Sequence, residues 1–377
     1  MRCFALIFLA FLVSVSGRFT DDFYKHLAGN NTSENLIFSP LSVEIALGMV
    51  YMGAEGRTAQ EMRNTLKLSE DKKEVARKYK KLLSNLEGRE KVAILKLANR
   101  IYVADSYRLV PEYNQAVKDS FKAQAETISL KSPESASLTV NKWVTDQTNG
   151  KIKDLVTPAD FKGDLVAMLL NAIYFKGQWE HKFNPKHTKV TDFYITDQKR
   201  VPVQMMKVSG VFQAAYVRSL DAQVIYLPYQ NSSLYMVVFL PKKNDGLTEL
   251  EKKIADYSEP IPPREVNLKL PKFKIEFTAE LKDILRTMGI RDAFSGNANL
   301  KSLVNGQVNI DKVRQKAFIE VNEEGAEAAA ATVAILTSKR ATRPLEFVVN
   351  HPFAYVIRDN ENIYFQGHVV NPAAKDK

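Results

Sequence analysis

Read as a string of apolar and polar positions, the chain changes period along its length. Its early segments repeat at helical spacing. Pro40-Leu41-Ser42-Val43 opens an apolar pattern that continues through Ala46, Met49 and Val50. The same spacing predicts helices over Ala59 to Leu66 and Val110 to Phe121, each starting near a Thr, Ser or Pro suited to a first turn. From Lys72 to Leu86, Val75, Tyr79, Leu82, Leu83 and Leu86 share one face, while Lys73, Arg77, Lys80 and Lys81 share another. That arrangement predicts an amphipathic helix with a basic outer stripe.

Sheet patterns follow. Ala93 to Val103 and Leu165 to Phe175 are apolar enough to be buried central strands. Val266, Leu268 and Leu270 alternate with polar residues, and the alternation resumes one step out of phase at Phe273, Ile275 and Phe277; a bulge at Pro271 would account for the slip. Val313, Gln315, Ala317, Ile319 and Val321 occupy one face of a further strand, with Arg314, Lys316, Phe318 and Glu320 on the other. Phe353 to Arg358 and Ile363 to Val370, joined across Asp359 to Asn362, read as a hairpin. Mixed helices and sheets predict an α+β architecture. One stretch breaks the pattern: after the strand at Val313, Gly325 and Ala326 lead into the four alanines Ala328, Ala329, Ala330 and Ala331, a poor strand and a poorly bounded helix.

Composition narrows the class. The 377 residues are 45% hydrophobic and 25% charged, which is ordinary for a globular protein. No Pro/Gly/Ser-rich linker or solenoid repeat divides residues 18–377, so one large domain is expected. Residues 1–17 read as a secretory signal: Arg2, an apolar run from Phe4 to Val13, then Ser14, Ser16 and Gly17. The run is too short to span a membrane. Secretion is therefore expected, and Asn30, Asn31 and Asn231 then begin usable glycan acceptor triplets. The single cysteine, Cys3, lies inside the signal, which removes thiol catalysis, disulfides and thiolate metal sites from the mature chain.

Catalytic marks are missing. None of the five histidines (His26, His181, His187, His351, His368) forms an H-E-x-x-H pair, and there is no G-x-S-x-G, Walker A or G-x-G-x-x-G loop. Each histidine reads as a lone surface or capped residue, and neither a cofactor nor a metal is implied. The net charge is +10, and the part of it concentrated at Lys73, Arg77, Lys80 and Lys81 suits a solvated face or a sulfated polysaccharide. A nucleic-acid motif is absent from a chain expected to be secreted, so nucleic acid is not the expected polyanion.

Six ordered blocks carry a family resemblance: Asn35 to Ser42 (NLIFSPLS), Gly53 to Thr58 (GAEGRT), Val140 to Trp143 (VNKW), Asn171 to Trp179 (NAIYFKGQW), Glu323 to Glu327 (EEGAE) and His351 to Phe353 (HPF). On these the chain resembles the serpins, with wording closest to insect members. The resemblance implies three β-sheets, about eight or nine helices, and an exposed reactive-centre loop over about 323–346. It also implies a hinge at Glu323, Gly325, Ala326, Glu327, Ala328, Ala329, Ala330, Ala331 and Thr332. Ser39, Ser42 and Asn171 match the family's shutter, where one sheet opens, and Trp179 matches its breach. Gln315 stands where many members carry a histidine; its amide can still donate to and accept from Asn171, and the pH response would differ.

If the alanine segment enters a sheet as a new strand, Ala326, Ala328, Ala330, Thr332 and Ala334 face the core, and all are small. A Lys or Glu among them would be buried unpaired. Counting fifteen residues from Gly325, as the family does, puts Lys339 before the cleaved bond and Arg340 after it. A loop one residue longer would make the bond Arg340-Ala341. Arg343 is disfavoured because Pro344 follows it. Either basic choice implies a trypsin-like or dibasic-cleaving serine protease as covalent partner of a monomeric inhibitor. The alternative is a non-inhibitory member acting as carrier or chaperone.

Overall fold

The computed structural model describes residues 17–29, 31–86, 93–255, 257, 259–323 and 343–374. Residues 1–16 of the signal segment, Asn30, the hinge from Gly325 to Thr332 and the candidate bonds at Lys339, Arg340 and Ala341 lie outside them. Among the described residues are sixteen strands in three sheets and eight α-helices, as the sequence implied.

The five-stranded sheet runs in the order β11 (Phe273–Glu280), β13 (Lys312–Val321), β5 (Ala167–Gly177), β2 (Ala93–Ala104) and β4 (Gln124–Ile128). The central strand β5 runs parallel to its neighbour β13, paired from Met168↔Lys312 to Phe175↔Ile319. β5 reads as a continuous apolar run because both of its faces are covered. On one face Leu169, Ile173 and Phe175 enter the main core, which also takes Val313, Ala317, Ile319 and Val321. On the other, Met168, Leu170, Ala172, Tyr174 and Phe318 pack under Ala136, Val140 and Val144 of α6 (Pro133–Gln147).

Behind the first face lies α2 (Pro40–Gly53), in which every residue but Met52 is buried. A helix apolar all round belongs in a core. Ser39 caps it, its side chain accepting from the Ser42 N–H at 3.2 Å, and Pro40 takes the first helical position. The other helices are α1 (Gly17–Gly29), α3 (Gly56–Leu66), α4 (Lys72–Leu86), α5 (Pro111–Phe121), α7 (Leu247–Ile254) and α8 (Lys282–Thr287). α3 starts one turn before the Ala59 read from the sequence, and α4 matches its predicted span.

The nine-stranded sheet runs β1 (Leu36–Phe38), β16 (Ile363–Val369), β15 (Phe353–Arg358), β9 (Tyr235–Pro241), β8 (Ala222–Pro228), β7 (Arg200–Val217), β10 (Pro263–Pro271) and β14 (Leu345–Val348), with β6 (Lys189–Tyr194) also on β7. A short ribbon of β3 (Arg108–Leu109) and β12 (Val304–Asn305) completes the set. β15 and β16 form the expected antiparallel hairpin.

The slip at Pro271 is not a bulge. β10 pairs with β7 and β14 in the nine-stranded sheet, whereas β11 pairs with β13 in the five-stranded one. The chain crosses between sheets at Lys272, and the buried face changes with the crossing. The histidine reading also needs correction. His351 and His368 are buried, and their ring nitrogens find partners: Asn350 Oδ1 and the Pro241 carbonyl for His351, Glu251 Oε1 and the carbonyls of Asn31 and Glu34 for His368. Desolvation holds His351 below the ordinary histidine value, against the pull of the Pro241 carbonyl.

Candidate functional site

The parallel junction of β5 and β13 is where the sequence-derived residues converge. Asn171 and Gln315 sit directly opposite each other in the ladder. The Gln315 Nε2 donates to Asn171 Oδ1 at 2.6 Å and to the Ser39 carbonyl at 3.0 Å, while its Oε1 accepts from the Ser39 N–H at 2.8 Å. Donation to Asn171 is as expected; the acceptor is taken by the backbone at the head of α2 rather than by Asn171. Asn171 Nδ2 in turn donates to Ser42 Oγ and to Asn99 Oδ1. Ser39 and Ser42 are fully buried, and Gln315 and Asn171 are 1% and 2% exposed. Their polar groups are satisfied within the network, as buried polar groups must be.

Asn99 was not singled out from the sequence. It lies on β2 opposite Asn171, so one asparagine faces another between β2 and β5. Nothing local marked it: Lys96 and Arg100 share the same run, so a polar residue there does not read as buried, and only the register against Asn171 places its carboxamide in the network.

At the upper end of the junction, β13 ends at Val321 and Asn322 follows. Trp179 is buried two residues past the end of β5, and its Nε1 donates to the Asn322 carbonyl at 3.0 Å. Its ring stacks on Tyr229, centroids 4.6 Å apart and planes 14° from parallel. That stack needs Gly177 before it, because a Cβ there would fall 2.4 Å from the Tyr229 ring. Glu323 comes next and is held twice: Lys272 lies 2.7 Å from its Oε2 and the Thr188 hydroxyl donates to its Oε1 at 2.7 Å. Burial alone would raise the Glu323 carboxyl, but the bonds from Lys272 and Thr188 outweigh it and hold it below the usual glutamate value. Neither Lys272 nor Thr188 was read from the sequence; both come from segments far from Glu323 in the chain.

At the lower end, Arg314 and Lys312 of β13 hold Asp160, in the turn after α6. Arg314 is bidentate, with Nη1 to Oδ2 and Nη2 to Oδ1 both at 2.8 Å, and Lys312 Nζ donates to Oδ1 at 2.7 Å. Burial raises the Asp160 carboxyl, yet these donors drive it well below the aspartate range.

Other sequence-derived positions lie away from the junction. On α4, Val75, Tyr79 and Leu83 are buried while Lys73, Arg77, Lys80 and Lys81 are exposed, with Arg77 4.0 Å from Asp71. Asn231 is exposed in the turn between β8 and β9, at a φ of 48°. Asn31 is half-buried and its Nδ2 donates to the Leu27 carbonyl at 2.7 Å.

Comparison with known proteins agrees with this geometry. A family model for serpins, serine protease inhibitors, matches residues 14–372. Serine protease inhibitor 42Dd of Drosophila melanogaster is 50% identical over 369 residues, covering 97% of this chain and 99% of its own. The crystal structure of Serpin48 from the insect Tenebrio molitor superposes with a TM-score of 0.86 at 31% identity, over 94% of this chain and 96% of that one. Uncleaved ovalbumin superposes with a TM-score of 0.84 at 29% identity, over 95% and 98%.

Proposed function

The chain belongs to the serpin family of serine protease inhibitors, and from that premise we propose that it is a secreted suicide substrate for trypsin-like or dibasic-cleaving serine proteases. It acts as an inhibitor and not as an enzyme. The observation that carries the loop-insertion reading is the parallel β5–β13 junction, with Glu323 anchored at the end from which residues 324–342 depart. Parallel neighbours leave the polarity of an inserted strand free, and a segment turning back from β13 runs antiparallel to both.

The mechanism is protease chemistry interrupted. The target's serine attacks the carbonyl of Lys339, or of Arg340, and forms an acyl-enzyme while the amine of the next residue leaves. The freed segment enters between β5 and β13, placing Ala326, Ala328, Ala330 and Thr332 toward the core, where only small side chains slide in without burying a charge. Entry parts Gln315 from Asn171. The displaced protease is pulled out of shape, and loss of an oxyanion-hole donor slows deacylation by about 100- to 1,000-fold.

Mixing with trypsin is expected to leave an SDS-resistant complex, and Ala326→Arg is expected to turn the inhibitor into a substrate that is cleaved and released. Wild-type protein that is only cleaved and released would overturn the reading in favour of a carrier or chaperone. Mass spectrometry of the released C-terminal peptide distinguishes Lys339-Arg340 from Arg340-Ala341. The exposed α4 lysines and arginine support a sulfated-polysaccharide contact, which predicts affinity that falls with salt. Of the two described acceptors, Asn231 is exposed and would take a glycan in the secreted protein, whereas the Asn31 amide is already engaged.

A further inference from the structure

A second feature lies on the nine-stranded sheet, between the two described ends of the reactive segment. Glu323, where residues 324–342 depart, is bound to Lys272 just past β10. The returning chain pairs Leu345 with Val266 on the same strand. Six residues of extended chain separate Val266 from Lys272, about 20 Å. An enzyme holding the scissile bond is tethered to both points.

The outward side of this stretch is basic. Leu268 and Leu270 of β10 are buried, so Lys269 between them points outward, and it lies directly opposite Lys207 of β7. Lys189 opens β6 on the far side of β7, opposite Met205. Lys189 and Lys207 are exposed and Lys269 is half-exposed. None of the three faces an acidic residue in the ladder: their partners are Met205 for Lys189, each other for Lys207 and Lys269, and Val348 on the outer side of Lys269. Of the nearby acids, Glu323 and Asp192 are held by Lys272 and Arg200, and Glu346, diagonal to Lys269 on β14, accepts from the Asn267 Nδ2 at 2.6 Å. Like charges directly opposite on neighbouring strands are destabilising, so local stability does not account for the Lys207–Lys269 pair.

We propose that Lys189, Lys207 and Lys269 form a secondary docking surface that takes an acidic surface segment of the target protease beside its active-site cleft. The proposal rests on the inhibitor reading above and adds a partner chemistry to it. Three lysines next to the tether points, none of them opposite an acid in the ladder, raise the encounter rate of an enzyme with a negative rim, an effect that falls with ionic strength. They add little to a complex whose lifetime is set by a covalent bond.

The test compares association rate constants for an anionic and a cationic trypsin, which share specificity but differ in surface charge, at low and physiological salt. The expected result is that Lys207→Glu/Lys269→Glu slows the anionic enzyme about tenfold at low salt, leaves the cationic enzyme no slower, and loses most of the difference as salt rises. Lys207→Gln/Lys269→Gln, which removes charge without reversing it, is expected to give a smaller change in the same direction and serves if the Glu variant does not fold. Complexes formed at wild-type stoichiometry and unchanged rate with the anionic enzyme would overturn this surface alone. If neither trypsin forms a complex with the wild type, the inhibitor reading falls and the surface with it. A rate change that appears only with added heparin would assign the lysines to a polysaccharide and overturn the protease contact.

Discussion

Gln315 joins two strands and a helix with one carboxamide. Its two N–H groups serve Asn171 and the Ser39 carbonyl, and its oxygen serves the Ser39 amide. Because the group does not titrate, this joint has the same strength across the physiological range. Gln315→Leu would leave the Ser39 N–H and Asn171 Oδ1 buried without partners, which is expected to destabilise by about 2–4 kcal/mol and show as a lower melting temperature. Glu323 behaves differently because its carboxyl is held below the ordinary value by Lys272 and Thr188. A depressed carboxylate contributes stability that is complete above its unfolded value and lost as pH falls through its folded one. Glu323→Gln is therefore expected to melt about 1–2 °C lower at neutral pH, a small shift because Lys272 is partly exposed, and to match wild type in acid below the folded value. A gap that persisted in strong acid would mean that the ion pair is not its source.

Between elements, the clamp from β13 to the turn after α6 decides how firmly the outer helix is held against the sheet. Asp160 and Arg314 are 9% and 14% exposed in their side chains, so the pair is largely out of water. Asp160→Asn is expected to destabilise by about 2–3 kcal/mol, and adding Arg314→Met to recover part of the loss, because one buried charge left alone is worse than none. Chemical denaturation of the two variants checks both. Legibility in the sequence divides along the same line. α4 and α5 were readable because each buries one stripe, and β5 because both its faces are dry. α6 was not read: its buried positions Ala136, Val140 and Val144 are small, and Leu138, which breaks their pattern, is 70% exposed. The crossover at Pro271 looked like a bulge because a phase slip records only that the buried side changes, not which sheet receives the chain. Gln315 and Asn171 were identifiable through the family blocks, but Asn99, Thr188 and Lys272 meet the site through strand register and folding back, which no local pattern carries.

For the whole molecule the question is where the energy to arrest a protease resides. An ordinary finished domain gains nothing when a surface segment is cut; it keeps its contacts or loses some. Under the proposed mechanism this chain is the reverse case, since the β5–β13 junction can take one more strand and the core-facing set Ala326, Ala328, Ala330 and Thr332 carries no side chain that would resist entry. Roughly ten new ladder hydrogen bonds at about 1 kcal/mol net each come to on the order of 10 kcal/mol, comparable to the full stability of a typical domain. Spread over the unfolding entropy of a chain this long, that is an upward shift on the order of 10–15 °C in melting temperature once the loop is nicked. Limited trypsin digestion followed by calorimetry of the intact and nicked forms is expected to show it. Ala326→Arg is the control: its loop is cut at the same bond, but insertion would bury a guanidinium, so the nicked variant is expected to melt near its intact form. A rise in both would place the gain in something other than the entry of Ala326 into the sheet, and a rise in neither would leave the junction of β5 and β13 with no stored strand to accept.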